Sequence, residues 1–191
     1  MNHQFKYNII LASKSPRRSE LLKMGGFDFS VASKNVEENH PKGVPTELIP
    51  QHLAQKKARA FLTELHENDL VIGADTIVIL DGKIFEKPAD SAEAKAMLRA
   101  LSGRAHTVIT GVCLLTKNKE LCFSELTKVY FNELTDEEIA GYVENFKPFD
   151  KAGSYACQEW IGAIGINKFE GDYFNVVGLP VNKVYQELKK F

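Results

Sequence analysis

The chain has 191 residues, with 24 Lys plus Arg against 25 Asp plus Glu and a formal net charge of -1. No global positive excess exists to hold a polyanion, which argues against a dedicated nucleic-acid binder. Hydrophobic residues make up 44% and charged residues 26%, and no uninterrupted apolar run approaches the roughly 20 residues that span a bilayer, so no membrane partner is expected.

At about 150 residues per domain, this length predicts one folding unit over residues 1–191, two-lobed at most, that buries about 70% of its unfolded surface without disulfides. Cys113, Cys122 and Cys157 are odd in number, widely spaced and set in apolar runs, which reads as buried free thiols and not as a disulfide framework or zinc site. Met1 to Tyr7 is polar and lacks a signal-type apolar segment, so a cytoplasmic protein is expected.

In chain order, Tyr7 to Ala12 reads as a strand. Ser15 and Pro16 then stand where an N-cap and first helical residue belong, opening a helix that stops at Gly25-Gly26. Thr46 is expected to cap a long helix to about Glu67, with Pro50 tolerated in its first turn. Leu70 to Leu80 reads as a buried strand, and Asp81-Gly82 as a hairpin turn into Lys83 to Phe85. Asp90 and Glu93 resemble a capping box before a helix that ends at Gly103. Thr107 to Leu115 and Leu121 to Phe131 form a second hairpin around Lys117-Asn118-Lys119. Thr135 and Glu138 cap a further helix. Short strands are expected at Ile161 to Ile166 and Tyr173 to Val177, before a last helix from Pro180. Such a series implies a mixed sheet covered by helices.

Three places break local rules. Arg17 and Arg18 put positive charge beside the positive end of a helix dipole, where an acid is preferred. Together with Ser13, Ser15 and the exposed helix-start amides, they suit a phosphate, although two solvated arginines on a turn would look the same. Lys57 falls inside the edge of the Ala54, Ala58, Phe61 and Leu65 stripe, either snorkelling to water or aimed at a ligand. Asp75 lies in the buried strand, where a carboxylate must be hydrogen-bonded, paired or metal-bound, and Gly73 beside it permits close approach of a ligand or backbone. Asp75 is therefore the best catalytic candidate, with a structural Asp as the alternative. Asp75 with Glu37, Glu38 or Glu86 has the oxygen ligands that magnesium prefers. His106 reads as a structural histidine and Trp160 as a core aromatic. Walker, dinucleotide, zincin and hydrolase-elbow motifs are missing.

With these residues in hand, the chain resembles the Maf family of septum-formation-related nucleoside triphosphate pyrophosphatases. The likeness runs from LASKSPRRSELL at Leu11 to Leu22, through LAQKKAR at Leu53 to Arg59, GADTIV at Gly73 to Val78, EKPAD at Glu86 to Asp90 and SGRAHTVITGV at Ser102 to Val112. It continues to DKAGSY at Asp150 to Tyr155 and VVGLP at Val176 to Pro180.

The resemblance implies a mixed α/β fold of the Maf/ITPase-like kind, a twisted sheet flanked by helices with two lobes and a central cleft. It implies release of pyrophosphate from a nucleoside triphosphate with a divalent metal, Mg2+ or Mn2+, for which Asp75 and Glu38 are the candidate ligands among the carboxylates named above. Asp75 matches the family's proton acceptor. Arg17, Thr76 and Gln158 match positions that distinguish substrate subgroups, and Thr76 with Gln158 looks like the dTTP and UTP subgroup and not the 7-methyl-GTP one. Ser13, Arg18, Glu38, Lys57 and Lys87 match polar positions lining the family's cleft. Gln158 can accept from a pyrimidine N3-H and donate to the neighbouring carbonyl, and its amide can also flip to suit cytosine, so this residue alone does not exclude CTP. Nucleotide-pool sanitation, cell-division control and a homodimer are compatible with such a family. The alternatives are a 7-methyl-GTP enzyme and a nucleotide-binding regulator of septum formation that does not cleave. One departure stands out: Glu159 and Trp160 follow Gln158 where the family usually has a small residue.

Overall fold

The structure, a computed structural model, describes residues 5–39 and 43–191, so the polar N-terminal stretch is described only from Phe5 onward. The strands are β1 (Asn8–Ala12), β2 (Phe29–Ala32), β3 (Asp69–Leu80), β4 (Lys83–Phe85), β5 (Ala105–Leu115), β6 (Glu120–Phe131) and β7 (Ile166–Glu170). They form one mixed sheet in the order β2-β1-β3-β5-β6-β7, with β4 paired to β3. β1 is parallel to β2 and β3, whereas β4 is antiparallel to β3 and β7 to β6. The helices are α1 (Pro16–Met24), α2 (Ile49–Arg59), α3 (Ser91–Leu101), α4 (Asp136–Phe146), α5 (Trp160–Gly165), α6 (Tyr173–Val177) and α7 (Val181–Leu188). This is the expected mixed α/β class. Among the described residues, no helix is long and apolar enough to cross a membrane.

The described residues group into two compact units. The first holds the chain up to Asp75 together with Thr110–Glu125 and Gly178–Phe191, and the second holds Thr76–Ile109 and Leu126–Val177. In the first, Ala54, Ala58, Phe61 and Leu65 bury against Ala12, Val71, Cys113 and Leu115. Helix α2 can come this close to the sheet because two strand positions lack a side chain. A Cβ on Gly73 would sit 2.2 Å from the Ala54 carbonyl oxygen, and one on Gly111 would sit 2.2 Å from the Gln51 nitrogen. In the second unit, Leu98 and Leu101 of α3 and Ile139, Tyr142 and Val143 of α4 pack with Val108, Val129 and Ile161. Both helices begin as their sequences predict: the Asp90 side chain accepts from Glu93 N, and Thr135 and Glu138 form a reciprocal capping box.

Two expectations are corrected. The helix expected from Thr46 to about Glu67 is three pieces, a 3-10 turn at Thr46–Leu48, α2, and a second 3-10 turn at Leu62–Glu64. The apolar spacing conceals the breaks because Phe61 and Leu65 remain buried on the same side, and a 3-10 turn can carry the stripe onward. The strands expected at Ile161 to Ile166 and Tyr173 to Val177 are α5 and α6, and β7 starts only at Ile166. Runs this short fit a helical turn as well as a strand. Local hydrogen bonding decides: the Asp172 side chain accepts from Phe174 N at 2.8 Å. Wholly buried Asn175 then donates to the Val108 carbonyl at 3.2 Å and to Thr127 Oγ1 at 2.9 Å, using the helical turn to reach both.

His106 is buried in the core as a structural histidine would be, but it is not the fully satisfied one expected, because its buried Nδ1 has no hydrogen-bond partner among the described residues. It is 3% exposed, its Nε2 lies 2.7 Å from the Tyr155 hydroxyl, and its ring packs against Phe131 and Tyr155. Burial lowers its pKa to about 4. The unfolded chain, with a value near 6.5, binds the proton first, so this histidine's contribution to stability is complete above pH 6.5 and is lost as pH falls towards 4. The expected loss is on the order of 3 kcal/mol. Denaturant midpoints between pH 7.5 and 4.5 should therefore fall further for the wild type than for His106→Gln.

Candidate active site

Strand β3 and helix α2 bring together residues that are far apart in sequence. The Lys57 ammonium donates to Asp75 Oδ1 at 2.6 Å and lies 2.9 Å from Glu38 Oε1. Side-chain exposure is 16% for Lys57 and 12% for Asp75 against 54% for Glu38, so the pair at the base is shielded and the outer carboxylate is wet. Gly73 admits the α2 backbone two residues before Asp75, and Lys57 follows Ala54, the helix residue that Gly73 meets, by three positions. The adjacent lysine contributes too: Lys56 donates to the Glu37 carbonyl at 2.6 Å, tying the Glu37-Glu38 segment to the same helix.

The loop between β1 and α1 adds the cations. Ser15 occupies the N-cap position without a side-chain cap bond; its amide donates to Ser13 Oγ at 3.2 Å. Arg18 donates from Nη1 to the same Ser13 Oγ at 3.2 Å and from Nε to the Gly178 carbonyl at 2.8 Å. The VVGLP segment thus fixes an arginine whose anchor the sequence does not reveal. Burial lowers the Arg18 pKa from its usual value, Asp75 opposes that shift, Arg17 reinforces it and Glu38 opposes it. Arg18 remains a guanidinium cation, and these opposing influences place Asp75, Arg17 and Glu38 within its electrostatic reach. Ser13, Arg17, Arg18, Glu38, Lys57 and Asp75 therefore form one constellation in the first unit.

Thr76, Lys87 and Gln158 belong to the second unit. Thr76 is half-buried, and Lys87 and Gln158 are exposed. There the EKPAD and DKAGSY segments meet, because Gly153 N donates to the Glu86 carbonyl at 3.1 Å. Trp160 corrects an expectation: it is 39% exposed and lines a surface groove with Glu137, Glu138, Gly141, Tyr142, Asn145 and Phe146. As the first residue of α5, it stands on the outer side of a helix whose inner side is filled by buried Ile161.

Cys113 and Cys157 are buried free thiols, as expected, whereas Cys122 is a half-buried one, and Cys113 and Cys122 are neighbours in space. Cys113, Cys122 and Glu120 place their ligand-type atoms within 4.8 Å of one another. Glu120 already accepts from Arg59 Nε at 2.6 Å, Arg59 Nη2 at 2.9 Å and Gln55 at 2.6 Å, so its carboxylate serves to fasten α2 to β6.

Comparison with known proteins covers the whole fold. A dTTP/UTP pyrophosphatase of Phocaeicola vulgatus is 51% identical over 186 residues, 97% of this chain and 96% of that protein. A dTTP/UTP pyrophosphatase of Cytophaga hutchinsonii is 47% identical over 190 residues, 100% of this chain and 87% of that protein. The Staphylococcus aureus Ham1 protein shares the fold at 17% identity and a TM-score of 0.55, over 96% of this chain and 98% of that one. Residues 8–191 match the family model described as Maf-like protein, and with near-full-length relatives at about half identity, the chain belongs to the Maf-like family.

Proposed function

We propose that this protein is a nucleoside triphosphate pyrophosphatase that hydrolyses dTTP and UTP to the monophosphate and pyrophosphate. The observation that carries the reading is the Lys57 ammonium held between Asp75 at 2.6 Å and Glu38 at 2.9 Å, beside Arg17, Arg18 and Ser13. Phosphoryl chemistry depends mainly on positioning and charge stabilisation, and the constellation supplies both. Arg17, Arg18, Lys57 and Lys87 neutralise the triphosphate and the departing pyrophosphate. Ser13 and Ser15 offer short polar groups at the helix start. Asp75 orients the attacking water and accepts its proton as the α–β bridge breaks and pyrophosphate departs.

The donor set fits a divalent cation. Asp75 and Glu38 carry carboxylate oxygens that already converge on one cation, Lys57, and Mg2+ or Mn2+ takes one or two carboxylates with phosphate oxygens. Asp75 and Glu38 would hold such an ion, which would supply further neutralisation of the polyphosphate.

Thr76 and Gln158 carry base selectivity in this reading, with the Gln158 amide matching the N3-H and carbonyl edge of thymine or uracil. Pyrophosphate release from dTTP, UTP, CTP, GTP and 7-methyl-GTP with Mg2+ or Mn2+ tests it. The expected result is release from dTTP and UTP in preference to the purine nucleotides. Preference for 7-methyl-GTP would overturn the substrate assignment.

A further inference from the structure

The Glu159-Trp160 departure has a structural counterpart. Glu159 N donates to the Ala156 carbonyl at 3.0 Å, closing a four-residue turn with Cys157 and Gln158 at its centre. Both ends of that turn meet one phenol. Ala156 N donates to the Tyr142 hydroxyl at 3.2 Å, and the same hydroxyl donates to Glu159 Oε2. The other Glu159 oxygen lies 3.4 Å from Lys151 Nζ. Tyr142 is 1% exposed and Lys151 8%, and the Tyr142 ring stacks on Phe146 at 4.9 Å between centroids. A tyrosine hydroxyl has one proton to donate and lone pairs to accept with, and here both capacities are committed to the turn. Gln158 is left exposed at its crest.

We propose that Tyr142 and Glu159 are positioning residues that fasten the Cys157-Gln158 turn and present the Gln158 amide to the nucleotide base. The proposal rests on the reading of Gln158 given above. A small residue at 159 could close the turn but could reach neither the phenol nor Lys151, so the acid adds rigidity that the backbone alone lacks. A recognition group already held in its bound conformation avoids an ordering cost on binding. Losing the tether should therefore weaken nucleotide binding uniformly, raising KM and leaving kcat nearly unchanged.

The test is a cycle of Tyr142→Phe and Glu159→Ala, which leaves no side-chain acceptor for the phenol, each made in the wild-type and in the Gln158→Ala background, with steady-state dTTP hydrolysis and amide hydrogen exchange as readouts. Gln158→Ala alone should raise KM for dTTP about tenfold, each tether variant should do nearly the same, and combining them should add almost nothing, because groups that act through one residue are not additive. Exchange at the Ala156 and Glu159 amides should quicken in Tyr142→Phe. Equal KM effects in both backgrounds, or unchanged exchange, would overturn the tether while leaving the role of Gln158 intact. An unchanged KM in Gln158→Ala would remove the base-reading assignment itself, and the tether's purpose with it. Should Tyr142→Phe fold poorly, Glu159→Ala, which lies at the more exposed end of the network, carries the same comparison.

Discussion

Asp75→Asn should lower kcat for dTTP by about 10^3-fold while nucleotide binding measured without divalent metal holds or tightens. Asparagine keeps the size of the side chain and still accepts from Lys57, so the 2.6 Å contact survives in shape. What it loses is the ability to take a proton from water. In the absence of a divalent cation, a negative charge beside a polyphosphate is repulsive before chemistry begins, so its removal does not weaken metal-free binding by charge. Lys57 keeps Glu38 as a partner, which holds the stability change near about 1 kcal/mol and not the roughly 3–5 kcal/mol of a buried pair stripped of one member. Turnover by stopped assay, dTTP binding by calorimetry and the unfolding midpoint separate these three effects. A variant that turns over dTTP at the wild-type rate would remove Asp75 from the reaction.

The second large effect is on stability. Gly73→Ala should cost about 3 kcal/mol or more, because the new Cβ would lie 2.2 Å from a backbone oxygen of α2 and 3.0 Å from the Ala58 nitrogen, neither of which can swing away as a side-chain tip would. Helix α2 must then lift from the sheet, and Lys57 rides on it. The folded fraction of Gly73→Ala should therefore also lose activity. Gly141→Ala is the matched control: it lies inside α4, where an added Cβ would meet nothing within 4 Å, so it should stabilise by roughly 0.5–1 kcal/mol. A Gly73→Ala protein as stable as the wild type would show that the close approach is not a constraint.

The contrast between these glycines marks what the sequence discloses. Gly73 in a buried strand signals close approach, but whether a ligand or a backbone fills the space depends on α2, which is distant in sequence. Asp75, Lys57 and the Arg17-Arg18 pair are visible as violations of local preference, since charge placed on a buried strand, a core stripe or a helix start needs a compensating partner. Their mutual distances are not visible, because they arise from sheet register and helix packing. The Arg18 anchor at Gly178 is a backbone carbonyl 160 residues away and leaves no side-chain signal. Lys151, in a motif that reads as loop, is buried beside Glu159. The two short helices at Trp160 and Tyr173 are hidden for a different reason: apolar runs this short have no period to read.

The cleavage position is the most direct test. Wild-type protein incubated with dTTP and Mg2+, with products followed by phosphorus NMR, should yield dTMP and pyrophosphate in equal amounts and no orthophosphate. Release of orthophosphate with dTDP would contradict cleavage at the α–β bridge, and tight binding of dTTP without any product would contradict catalysis at the Asp75, Lys57 and Glu38 constellation altogether.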